Sequence, residues 1–184
     1  MESSSDAECP FYEVTQGESL AQGDVLIDFP LVVLHEPYEQ IRSDTGPKTT
    51  VDEFDTIIVS QSCDLEHGKL ESVLICPFFA VGEIVEVIKD ADSGRARESA
   101  RKKLGQGIYP ALYPIPPCTL PEFEKPCHIV SFRQVAAVPL GLVQAEARPD
   151  RRRLRLRSPY REHLGQAFGH FIMRVGLPVP FEVK

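Results

Sequence analysis

Apolar residues recur along the chain in short runs with period two, the signature of strands that bury one face or both. GDVLIDFPLVVL (23–34) is β-branched and apolar with Pro30 in its middle, which predicts a bent strand or two strands meeting at an edge. TIIVSQ (56–61) and SVLICPFFAV (72–81) predict two buried strands joined by the polar SCDLEHGKLE. HIVSFRQVAAVPLGLV (128–143) is strand material again, and in RRRLRLR (151–157) Arg alternates with Leu, which predicts a strand with its guanidinium groups on the wet face. Two segments depart from this period. Residues 82–104 mix helix formers with Arg and Lys and stop at Gly105 and Gly107, predicting one or two helices. After Ser158 as cap and Pro159 at the first helical position, Leu164, Phe168, Phe171, Ile172 and Val175 fall at helical spacing, predicting a closing helix. Six prolines in residues 108–127 predict an extended or irregular stretch, and 35–50 reads as a loop broken at Gly46-Pro47. The polar first 21 residues read as a flexible tail.

The 184 residues suit one domain at 42% apolar and 26% charged, so residues 22–184 are expected to share one core, with an insertion at about 82–107. No run of 18 apolar residues occurs, and MESSSDAECP begins polar and acidic, so neither a membrane span nor a secretory signal is expected. Five cysteines without a CxxC pair fit reduced thiols in the cytoplasm better than a disulfide scaffold, and they lack the close pairs of a structural zinc site. No metal or other cofactor is expected. The formal charge of -7 conceals an asymmetry: residues 1–55 hold 13 of the 27 acids and only Arg42 and Lys48 as cations, whereas seven of the fourteen residues 148–161 are arginine.

The order GDV, IIVSQ, SVLICPF, SFRQVAAVPLGL and a closing helix resembles the MazF/PemK (Kid/CcdB-type) toxin family over roughly residues 22–81 and 128–175. The resemblance implies an SH3-like small β-barrel with peripheral helices, hence an α+β, mainly β fold. It also implies metal-independent cleavage of single-stranded RNA, a homodimer, an antitoxin as partner, and a bacterial toxin-like, stress or phage-defence role. Within the family's motif Ser72 matches the Ser or Thr that begins a core strand. The family's Arg has no counterpart before IIVSQ, where DEFD (52–55) stands, and Arg42 and Lys48 lie further back in that loop.

The candidate chemistry follows. For RNA cleavage the 2′-hydroxyl is the nucleophile, so a base such as His67 or Asp64 near Ser72, with Arg133 or Arg42 stabilising the phosphate, suffices without a metal. In the same loop Cys63 with His67 as base and Asp64 as orienter is a second arrangement. A purely structural reading has Ser62 and Asp64 bonding nearby backbone amides while Cys63 fills a small apolar space. Arg151, Arg153, Arg155 and Arg157 could follow a phosphate backbone with Tyr109 or Tyr160 stacking on bases, and Arg101, with Arg95, Arg97, Lys102 and Lys103, forms a second basic set. The leading expectation is an RNA-binding protein with scope for endoribonuclease activity. The alternative is a non-catalytic interaction module that docks a protein partner through its acidic and basic faces.

Overall fold

The computed structural model describes residues 9–36, 46–88, 93–148 and 150–173. It is a mixed α+β protein built mostly of sheet. The strands are β1 (Tyr12–Thr15), β2 (Val25–Leu34), β3 (Thr49–Ile58), β4 (Ser72–Ala80), β5 (Leu112–Ile115), β6 (His128–Ser131), β7 (Ala136–Pro139) and β8 (Arg153–Leu156). The helices are α1 (Ser62–Glu66), α2 (Val81–Val87), α3 (Gly94–Gly105), α4 (Leu140–Glu146) and α5 (Tyr160–Ile172). Six strands form one antiparallel sheet in the order β2-β3-β4-β6-β5, with β7 following β6 along β4; β1 and β8 pair separately. Among the described residues β2 and β5 end that path unjoined, and a bridge between Asp24 and Arg155 is the link from β8 to β2.

Period two in β4 explains the layering. Cys76 and Phe78 face one core with Ile57, Val130, Leu154 and Leu156, while Val73 and Ile75 face a second with Phe29, Ile58 and Val138. Helix α5 closes the first core: Leu164 and Phe168 are buried, and each such side chain contributes about 1.5–3 kcal/mol. Helices α1 and α4 cover the second core through Leu65 and Val143. A third, smaller core joins Ile84 and Val85 of α2 to Ala100 and Leu104 of α3 over Ile129 of β6.

Several expectations change. From Cys9 the stretch read as a tail is strand and core: Tyr12 is buried and its hydroxyl donates to Pro116 O at 2.8 Å. Strand β3 begins at Thr49, seven residues before its apolar run, because β2 and β3 extend together as an arm on which residues 49–53 of β3 are all exposed and carry no core pattern. PLGLV reads as strand but turns helical after Pro139, where β7 ends against Ser72. Pro159, not Ser158, is the cap position of α5, without a side-chain cap bond. Val175 lies outside the described residues. No helix among the described residues is long and apolar enough to cross a membrane.

Candidate functional site

The arginine strand is the largest correction. Leu154 and Leu156 enter the core as period two requires, yet the opposite face of β8 is covered as well. Arg153 is 4% exposed, and its Nε donates to Asp24 Oδ2 at 2.9 Å while its Nη1 donates to the carbonyls of Gly17 at 2.7 Å and Ala147 at 3.3 Å and its Nη2 to that of Ser19. Arg155 grips both oxygens of the same carboxylate and donates to Ser19 O at 2.7 Å; its hydrogen bonds to Asp24 hold its pKa above the usual value. Asp24 is fully buried. A buried carboxylate with two guanidinium partners is an anchor for the 17–21 lead-in, and it takes Arg153 and Arg155 away from any phosphate. Arg151 bonds Glu146 at 3.4 Å and Ile27 O at 3.1 Å, and Arg152 bonds Glu122 at 2.6 Å. Arg157 is exposed beyond the end of β8.

The opening Gly-Asp-Val is built for the same purpose. Gly23 has φ +83°, and a Cβ there would stand 3.0 Å from Leu156 Cβ. Asp24 supplies the anchor and Val25 starts the strand into the core. The loop after β3 is partly consumed in the same way. Ser60 Oγ accepts from Leu74 N at 2.8 Å, and Ser62 Oγ accepts from Gln22 N at 3.1 Å, leaving buried amides satisfied. Cys63 is exposed and fills no apolar space.

Of the residues assigned to catalysis, Asp64 lies in α1, His67 caps it, Ser72 starts β4 and Arg133 lies in the turn between β6 and β7. His67 is exposed at the end of α1, its Nδ1 2.6 Å from Cys63 O; a carbonyl only accepts, so that nitrogen donates. Asp64 lies 4.0 Å from Lys69, and Ser72 is exposed at the start of β4 opposite Pro139. Arg133 sits in a 3-10 turn between Val130, which faces Phe78, and Ala136, which faces Ile75. That register places Arg133 about four residues along β4 from Ser72, roughly 13 Å. Arg42 lies outside the described residues. Burial pushes the Cys76 thiol up to about 12 and that of Cys118 up to about 11, so neither supplies a thiolate at neutral pH. Among the described residues no three His, Cys, Asp or Glu side chains gather as a metal would require.

What the fold does assemble is a groove of about 580 Å³ on the outer side of the β5–β6 end. Helix α2 and its C-cap contribute Ile84, Val87 and Ile88, the approach to β5 and its first residue contribute Tyr109 and Leu112, and Arg133 supplies the charge. Val87 is 75% exposed. Helix α3 packs on the same small core, and its Arg95, Arg97, Arg101, Lys102 and Lys103 are exposed, against one acid, Glu98. Among the described residues Arg101 makes an exposed 3.9 Å contact to Glu98. The groove escaped sequence reasoning because its lining comes from three separated segments. One signal was available: EIVEVI carries four apolar residues in five positions, more than one helix face buries, and the surplus Val87 and Ile88 line the groove.

No protein-family model, curated protein or solved structure matches the chain.

Proposed function

We propose that the protein is a non-catalytic interaction module that docks an acidic, apolar segment of a partner protein in the groove between α2, the approach to β5 and the Arg133 turn. The observation that carries this reading is an apolar groove with one guanidinium inside it, over a small core on which a helix bearing five cations also packs. Apolar side chains of the partner would remove Val87 and Ile88 from water, and its carboxylates would meet Arg133 and α3. The net charge of -7 does not oppose this, because at physiological salt charges more than about 8 Å apart are largely screened and the local basic face decides. RNA cleavage has weaker support, since Ser72 and Arg133 stand apart and two of the four strand arginines are held by Asp24.

The barrel reading belongs here too. The Asp24–Arg155 bridge joins the β1–β8 pair to β2, while the Tyr12 bond to Pro116 and the 3.6 Å approach of Cys9 Sγ to Cys118 Sγ span from β1 to the end of β5. These links favour a small barrel-like wall around the first core, in keeping with the SH3-like architecture of the MazF/PemK resemblance.

Fluorescence anisotropy tests the function. The probes are a fluorescein-labelled peptide of alternating Glu and Leu, a Glu-Ser counterpart and a labelled oligouridylate. Saturable binding of the Glu-Leu peptide, weakened about tenfold or more by Arg133→Glu and by Val87→Asp, is the expected result. Oligouridylate binding that falls with salt, with no response to the peptide, would move the protein to the RNA-binding reading.

A further inference from the structure

The outer half of β2, residues 29–34, is an unusual edge. It reads FPLVVL, without a charge, so that of the devices that protect exposed edge strands it carries only Pro30 and the bend before it. Asp28 has φ +53° and the β2–β3 register shifts between Leu26 and Phe29, so the strand bends there. The bridge to β8 is confined to Asp24, before the bend.

Parity tells which backbone groups this edge offers. His35 N donates to Lys48 O at 3.0 Å, and His35 continues the register in which Leu34 faces Thr49, so the odd-numbered residues of β2 are the ones that bond to β3. Pro30, which has no N–H, falls in the other set, as it must. The N–H groups of Val32 and Leu34 and the carbonyls of Pro30, Val32 and Leu34 therefore point away from β3, and among the described residues no strand pairs with them. On the side-chain level Val32 is 70% exposed, its cross-strand neighbour Val51 67%, and Leu34 on the same face 47%.

We infer that this edge pairs with the same edge of a second copy of the chain, antiparallel about Val32. The two Val32 residues would exchange N–H···O bonds, and each Leu34 N–H would reach the Pro30 carbonyl of the other copy, making about four inter-chain hydrogen bonds. In that register the missing donor of Pro30 is the sole one lost on each side. The Val32, Leu34 and Val51 side chains of both copies join in one stripe. Residues 29–34 place no charge against the copy; Asp28, at the bend, and Glu36 flank the hydrogen-bonded residues and fall opposite each other in this register, which further weakens the pairing, and Asp52 and Glu53 lie on β3, about 14 Å from the β3 of the other copy. Two strands of this length bury less than the roughly 1,200 Å² of a standard interface, so the association is weak and concentration-dependent. It is independent of the groove.

Sedimentation velocity at rising protein concentration tests the inference on the intact chain. The expected result is a reversible monomer–dimer shift that Val32→Lys and Leu34→Pro each weaken by tenfold or more. Leu34→Pro removes an N–H that faces away from β3, so its thermal unfolding at dilution should match the parent protein. Val32→Cys in a Cys63→Ser background should cross-link to itself under mild oxidation more readily than Leu34→Cys, which would face Pro30. A monomer at all concentrations overturns the proposal. So does a dimer indifferent to Val32→Lys, and so does an edge that binds a foreign extended peptide but not itself.

Discussion

Two regions carry runs of cations in the sequence and put them to opposite uses. In β8, Arg153 and Arg155 are 4% and 13% exposed in their side chains and share the buried Asp24. In α3, Arg101 is 54% exposed and its partner Glu98 78%. The first set is an internal fastener that joins the lead-in, β2 and β8 across more than 120 positions of sequence; the second is a solvated face beside an apolar groove. A run of like charge thus acquires its meaning from what packs over it.

The strongest way to break this contrast is to remove the anchor. Asp24→Ala leaves two nearly buried guanidinium groups facing each other without a counter-charge, and the expected loss is about 3–5 kcal/mol in urea unfolding. Asp24→Asn retains the shape but not the charge and should fall in the same direction by less. A loss under about 1 kcal/mol for Asp24→Ala would mean that water reaches the cluster, and the two regions would no longer differ in kind. Next in size is Gly23→Ala, which forces a Cβ to within 3.0 Å of Leu156 Cβ at φ +83°; about 2 kcal/mol of destabilisation is expected from strain of this sort. Smaller again is Gly165→Ala in α5. The new Cβ would meet the Gln22 amide at 2.8 Å, and that amide is buried and bonded to Val59 O at 2.8 Å. The gain of up to about 1 kcal/mol from replacing a helical glycine is outweighed, leaving a net loss of about 1 kcal/mol in thermal unfolding.

These positions also show what the sequence can and cannot disclose. Strand β4 was legible because Val73, Ile75, Cys76 and Phe78 alternate between two apolar environments, and α5 because Leu164 and Phe168 keep helical spacing. Strand β8 was legible as a strand from its Leu period, but the partner that turns its arginines inward, Asp24, lies 129 residues from Arg153, and no local pattern reports it. Residues 9–21 read as a tail because they are polar, although Tyr12 alone, with its ring in the core and its hydroxyl on Pro116, is enough to hold a short strand. Ser62 read as a partner for a nearby backbone amide, and it bonds the amide of Gln22, 40 residues away, which no local pattern reports. Candidate functional residues proved harder than fold, since a groove shared by residues 84–88, 109–112 and 131–134 exists only once β5 and β6 have paired.

The smallest effect on stability should come from the second region, and there the contrast is sharpened. Lys102→Ala combined with Lys103→Ala removes two exposed cations from the last turn of α3, whose buried contacts are made by Ala100 and Leu104. Stability should change by less than about 0.5 kcal/mol, because alanine suits a helix and exposed charges contribute little. Binding of the Glu-Leu peptide should nonetheless weaken about threefold to tenfold, with the difference from the parent protein shrinking as salt rises from about 0.05 to about 0.5 M. Asp24→Ala provides the mirror image, a large loss of stability with peptide affinity retained in whatever fraction remains folded. Equal losses of affinity and stability in the α3 variant would mean that its cations support the fold after all, and the division between fastener and docking face would fail.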